Sequence, residues 1–347
     1  MKKWMIMICM ALPLIGCTAV TEEQERAQTG HIGANMAISR EMAAKTIGLA
    51  FYSPEEMEPL EADFSDVEKG DWAYPYIAAC VAQGFFAGSE EGTFRPQDDM
   101  TLWEAQILMD RLAPQYDSRI VLTEKNKNMP ISYELWIQLL ETALKARRGE
   151  DSLYSYGFET KNAVMLSAEG LCDTGKFTAA GINLQPYQFS RITFWEKGGE
   201  IVALLTVEAL SPMVQNVYCR KEDGKLLLET GDGATAVSYG GNLEEGICDV
   251  KLENGRVSEV TPAASLGQCT VKRVNGEGIY LAEKGELKWA ENARIYDACG
   301  RIQGADFSDL ICGTDGGEYY EKEGKICAAV IRKEAVLENM RVFLKGE

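Results

Sequence analysis

From about residue 155 to the C-terminus one pattern recurs: a short apolar run, a polar turn carrying glycine, and a second apolar run. Phe194–Leu205 turns at Gly198-Gly199, and Val217–Leu228 at Asp223-Gly224. Cys248–Val257 turns at Asn254-Gly255, and Tyr319–Ile331 around Gly324. Asp-Gly and Asn-Gly supply the positive φ angles that two-residue hairpins need, so each run is expected to be a β-hairpin and each glycine a turn residue rather than a ligand. Serial hairpins of this kind predict an all-β region over 155–347, built as small barrels or a sandwich.

The first part of the chain has a different texture. Residues 36–148 carry apolar residues at helical spacing, punctuated by cap residues, and the change of character falls near Arg147–Ser152. Ser39 is placed to cap a helix whose apolar face comprises Met42, Ala43, Ile47 and Ala50. A short amphipathic helix is expected from Trp72 to Gly84, a second opening at Thr101, and a third within Ile131–Leu140. The predicted fold class is therefore α+β in two domains, a helical one at 36–148 and a β-rich one at 155–347.

The run from Phe64 to Leu112 resembles an S-layer homology domain. The residues that carry the likeness are Phe64-x-Asp66-Val67, Trp72-Ala73, Tyr76-Ile77, Gly84, Gly88, Gly92-Thr93-Phe94-Arg95-Pro96, Asp98 and Thr101-x-x-Glu104. The best repeat spans 63–112; residues 36–51 resemble the closing helix of a preceding repeat, and 131–140 that of a degenerate third. The resemblance implies a pseudo-threefold helical bundle with grooves that hold an anionic secondary cell-wall polysaccharide. It also implies that a Thr-Arg-Ala-Glu type motif supplies an arginine, whose planar donor fork suits carboxylates. Mapped onto this chain, the first repeat keeps Ser39 and Arg40 but has Met42 in place of the glutamate. The second keeps Thr101 and Glu104, with Leu102 and Trp103 between them, and the third has Ser132 and Tyr133. Trp72, Trp103 and Trp136 offer rings either for stacking on sugar or for core packing. The glycan-binding set is accordingly Ser39, Arg40, Trp72, Thr101, Trp103 and Glu104.

At the N-terminus Lys2 and Lys3 precede an uncharged apolar stretch from Trp4 to Ile15, too short to span a bilayer, which reads as a signal peptide over residues 1–16. Leu14-Ile15-Gly16-Cys17 resembles the lipobox of bacterial lipoproteins, which implies acylation of Cys17. Residues 17–35 then form a tether, and the chain is expected to be extracytoplasmic, lipid-anchored to the cell membrane and associated with the wall. The net charge of −18 argues against nucleic-acid binding.

There is one histidine, His31, so neither a histidine triad nor a multi-histidine metal site can be built from this chain. Ten cysteines include no C-x-x-C pair; with Cys9 in the signal and Cys17 acylated, eight remain as buried thiols or disulfides. No phosphate-binding glycine motif is present. Among 53 acidic residues carboxylate pairs will arise by chance, and no motif singles one out for hydrolysis. No metal, cofactor or enzymatic activity is expected. Glu338–Lys345 resembles the opening strand of a SpoIID/LytB domain, and Asp309–Arg332 resembles the β segment that precedes it in some Gram-positive surface proteins. The expected function is a non-catalytic envelope lipoprotein that docks on cell wall, with secondary cell-wall polysaccharide or peptidoglycan as partner. The alternative is a scaffold or regulatory portion of a SpoIID/LytB-type peptidoglycan-remodelling protein, with a peptidoglycan hydrolase as partner.

Overall fold

The computed structural model describes residues 36–115, 120–208, 212–253, 255–298, 302–310 and 315–332. The signal, Cys17, the tether, His31, Cys299, Cys312 and the SpoIID-like strand at 338–345 lie outside the described residues.

Among the described residues five helices come first: α1 (Arg40–Phe51), α2 (Pro54–Met57), α3 (Tyr74–Ala82), α4 (Leu102–Leu112) and α5 (Tyr133–Arg148). Three of the four longer ones start alike. Ser39, Thr101 and Ser132 are extended N-caps whose hydroxyls accept from Met42, Glu104 and Leu135 N–H, satisfying donors that a helix start leaves free. The residues just before the caps interlock in a closed cycle. Ile38 N–H donates to Ile131 O (3.1 Å), Ile131 N–H to Met100 O (2.9 Å), and Met100 N–H to Ile38 O (2.8 Å). All three side chains are buried. One three-way backbone knot thus launches α1, α4 and α5.

The α1 helix departs from the expected amphipathic pattern. Residues from Ala43 to Ala50 are buried on every side, Arg40 and Lys45 are buried with them, and Met42 is only partly covered. The reason lies far along the chain. One side of α1 packs on α3, where a Cβ at Gly48 would stand 3.3 Å from the Tyr76 backbone. Another side receives the β-region, which brings an acidic partner for Lys45. Trp136 fills the centre, fully buried, with its indole N–H on Thr46 Oγ1 at 3.1 Å.

The β-region begins with β1 (Glu159–Val164), β2 (Leu171–Cys172), β3 (Gly175–Lys176), β4 (Arg191–Lys197) and β5 (Glu200–Glu208). β1, β4 and β5 form an antiparallel sheet in that order. Next come β6 (Met213–Glu222), β7 (Lys225–Glu229), β8 (Ala234–Ser238), β9 (Gly246–Glu253) and β10 (Arg256–Pro262), a five-stranded sheet ordered β10-β9-β6-β7-β8. Last are β11 (Ala264–Val274), β12 (Gly278–Leu281), β13 (Gly285–Asp297), β14 (Gln303–Ala305), β15 (Asp315–Lys322) and β16 (Lys325–Ile331). Here pairing runs β11–β12–β13–β16–β15 and back to β11, closing a five-stranded barrel with β14 added on β13. The β13–β16 pair in that ring is parallel, and the others are antiparallel. The choice between barrel and sandwich is resolved for this segment in favour of the barrel. The hairpin expectations hold: Gly198-Gly199, Asp223-Gly224 and Glu323-Gly324 each place two successive residues at positive φ, as a tight turn between twisted strands requires.

The helices and the first sheet share one core. It runs from α1, α3, α4 and α5 through Leu153, Tyr156 and Phe158 to Trp195, Val202 and Ala203. Polar ties cross the same seam. Lys45 Nζ meets Glu200 Oε1 at 2.5 Å and Ala180 O at 2.7 Å. Lys197 Nζ donates to Leu49 O at 2.6 Å, and Tyr133 Oη accepts from Leu204 N–H at 2.9 Å.

Candidate functional site

A groove of about 180 Å³ opens between the start of α1, the loop after α3 and the outer face of α4. Its charged lining residues are Arg40, Arg95, Arg111 and Glu104. Three guanidiniums face one carboxylate, in a chain whose overall balance is strongly acidic. A concavity with this excess of positive charge focuses anions.

Each guanidinium is held by a separate local device. Arg40 is the first residue of α1, and its side chain is tucked inward, with Nε on Phe94 O at 2.8 Å. The guanidinium lies 4.8 Å from the Phe94 ring centre and 5.4 Å from that of Phe86. Its charge is met by Glu104 Oε1 at 2.6 Å. Burial lowers the Arg40 pKa, and the nearby Glu104 opposes that shift. Arg95 sits in the left-handed region at φ 59°. That backbone is fixed by Asp66, whose two carboxylate oxygens accept from Phe94 N–H and Arg95 N–H, both at 2.7 Å. Arg95 then reaches Glu104 Oε1 at 2.9 Å and Asp98 at 3.5 Å. Arg111, in the last turn of α4, donates to Phe85 O at 2.6 Å.

Glu104 is the hub. Its Oε2 closes the α4 capping box on Thr101 N–H (2.9 Å) and Thr101 Oγ1 (3.0 Å), which leaves Oε1 for the two arginines. Gly88 forms part of the groove wall, where a Cβ would come 2.3 Å from the Phe64 ring and would have to displace it.

Of the sequence-derived residues, Arg40, Thr101 and Glu104 are brought together here, with Ser39 one residue away as the α1 cap. The pairing joins two helix starts: Arg40 of α1 meets Glu104 of α4. Trp72 is elsewhere, partly buried beside Tyr76 and over Gly181, where an added Cβ would lie 2.3 Å from its ring. Trp103 is 51% exposed on α4, outside the groove lining. Motif counting missed Arg95 and Arg111, since neither occupies the motif's arginine position; Arg95 was signalled only by its place in the Phe94-Arg95-Pro96 turn. The positions equivalent to Arg40 hold Leu102 and Tyr133, and Tyr133 is spent on the strand β5.

Residues 63–105 match the S-layer homology domain family. This segment is an S-layer homology domain. Two sequences named Outer membrane protein SlpA, both from Thermus thermophilus, are 37% identical to the chain over 59 residues. That stretch is 17% of this chain and 6% of each relative, so the chain spans only a small part of the curated relatives' length. No solved structure matches the chain. The S-layer homology domain supplies the loop after α3, Arg95 and Glu104, while Arg40 comes from the helix before it and Arg111 from the continuation of α4 beyond it.

Proposed function

We propose that this chain is an exported envelope protein, anchored through acylated Cys17, whose helical part docks non-catalytically on an anionic wall polymer. The polymer is a secondary cell-wall polysaccharide or peptidoglycan, and the groove of Arg40, Arg95, Arg111 and Glu104 is its seat. The observation that carries this reading is the convergence of three guanidiniums on one groove of an S-layer homology domain, a domain class that generally binds wall polysaccharide. The Ser39/Thr101/Ser132 caps and the cyclic Ile38–Met100–Ile131 knot support a pseudo-threefold bundle as the docking unit. In this arrangement the sheets beyond β5 serve as a spacer.

Arg95 and Arg111 are exposed and still have donors to offer, so an anionic sugar can replace water on them. Arg40 and Glu104 set the shape of the floor. The test is retention of the full chain on purified sacculi with and without their attached polymer. Polymer-dependent retention, lost when Arg95 and Arg111 are both changed to Ala, is the expected result. Retention that ignores the polymer, or that survives the double substitution, overturns the groove as the seat. Anchoring is tested separately by Cys17→Ser, which should move the protein out of the detergent phase, and the non-catalytic reading by a zymogram without a clearing band.

A further inference from the structure

Two cysteines of the five-stranded sheet lie on neighbouring strands. Strands β6 and β9 are antiparallel neighbours, with Val217 opposite Cys248 and Cys219 opposite Gly246. Cys219 and Cys248 are therefore diagonal partners, and both are buried in the same small core with Leu228 and Leu252. The residue directly facing Cys219 is Gly246, which sets no side chain of its own against it. The neighbouring Cys248 sulfur, with burial, raises the Cys219 pKa, and Cys219 in turn lowers that of Cys248. Cys248 Sγ also donates to Gly246 O at 3.9 Å; Cys80 donates to Ala44 O, Cys172 to the Met165 sulfur, Cys269 to Leu266 O and Cys327 to Tyr320 O.

We propose that Cys219 and Cys248 are a dithiol pair that closes to a disulfide in the exported protein, stapling β6 to β9 across the loop that carries β7 and β8. The oxidant is a disulfide, of a small thiol or of a thiol oxidase. One cysteine thiolate attacks it and expels the first thiolate, giving a mixed disulfide. The second cysteine loses its proton and attacks the mixed disulfide, expelling the second thiolate. Two S–H bonds are lost, one S–S bond forms, and the oxidant leaves as two thiols. Both sulfurs are sealed in the finished sheet, so exchange belongs to folding, and the finished bond is shielded from reductant.

A cross-link between adjacent strands restricts the unfolded chain and raises resistance to denaturant. The experiment is refolding of the full chain from urea in oxidised or in reduced glutathione, followed by alkylation in denaturant and peptide mass spectrometry. The expected result is a linked pair of peptides containing Cys219 and Cys248 after oxidative refolding, with Cys80, Cys172, Cys269 and Cys327 alkylated. The urea midpoint is expected to rise in the oxidised sample, and the rise to vanish in both Cys219→Ala and Cys248→Ala. Alkylation of Cys219 and Cys248 in both buffers overturns the proposal, as does linkage of either to a different cysteine. The cellular oxidant rests on the export proposed above, but the refolding buffer supplies its own. A failure to link therefore counts against the pair alone, and a failure of wall docking leaves the pair standing.

Discussion

Arg40 and Arg95 meet the same carboxylate oxygen but stand in different media, and substitution should separate their roles. Arg40 is buried with its guanidinium between Glu104 and two phenylalanine rings. Arg40→Ala leaves Glu104 with Arg95 and Thr101, but it removes the bond to Phe94 O and empties the space between the two rings, which costs about 2–4 kcal/mol of stability in urea unfolding. Arg95→Ala removes an exposed group whose ion pair is worth about 0–1 kcal/mol, so the protein stays folded while polymer retention drops. A different single residue reports on pH. Asp173 is buried, and desolvation raises its carboxyl above the ordinary value more than the Val164 N–H and the charges of Arg294 and Arg191 lower it. The folded state thus prefers the protonated acid. Its contribution is fully present below the unfolded value and is lost as pH rises through the folded one. Asp173→Asn keeps an oxygen for Val164 N–H, at 2.8 Å in the parent, without the charge. The variant is expected to be more stable than the parent at neutral pH by denaturant titration. The gap should close as pH falls through the raised value toward the ordinary carboxylate range.

At the scale of elements, the start of α4 is both a helix cap and a wall of the groove. Thr101→Ala removes the hydroxyl that accepts from Glu104 N–H and donates to Glu104 Oε2. It should cost about 1 kcal/mol, with weaker polymer retention because Glu104 is freer to swing off the two arginines; urea midpoints and sacculus binding check the two parts. This element shows what could be seen in the sequence. Caps and tight turns are local chemistry, so the Ser39 cap, the helix opening at Thr101, the helix end at Gly84 and the Asp223-Gly224 turn were placed from neighbouring residues alone. The groove was only half visible. Arg40 and Glu104 were found by motif, but their pairing depends on how α1 and α4 leave the Ile38–Met100–Ile131 knot. Arg95 depends on Asp66 holding two amides in a distant turn. Barrel closure was hidden for the same reason: the parallel β13–β16 pair joins strands that hairpin logic does not connect.

The whole molecule turns on the seam between the helices and the first sheet. The chain leaves α5 at Gly149, in the left-handed conformation at φ 68°, where the sequence changes texture, yet the core continues through Phe158 and Trp195. The centre of the seam is Lys45, with no exposed surface, on Glu200. Glu200 is further held by Ala180 N–H at 2.9 Å and by the Thr178 hydroxyl. This buried pair explains why α1 could not be read correctly from its own residues: a lysine in a helix interior looks like a solvated face until its acid arrives on β5. Removing one partner leaves the other charged and enclosed. Lys45→Ala or Glu200→Ala alone should therefore cost about 3–5 kcal/mol, while Lys45→Met with Glu200→Leu should cost less than either single change. Since the seam is shared, the helices and the β1-β4-β5 sheet should unfold as one unit. With other tryptophans replaced by phenylalanine, fluorescence of Trp136 in the helical core and of Trp195 in the sheet should give the same urea midpoint. Lys45→Ala should lower both midpoints together. Two separated midpoints in the parent, or a Lys45→Ala shift confined to Trp136, would mean that the seam is a contact between independent bodies.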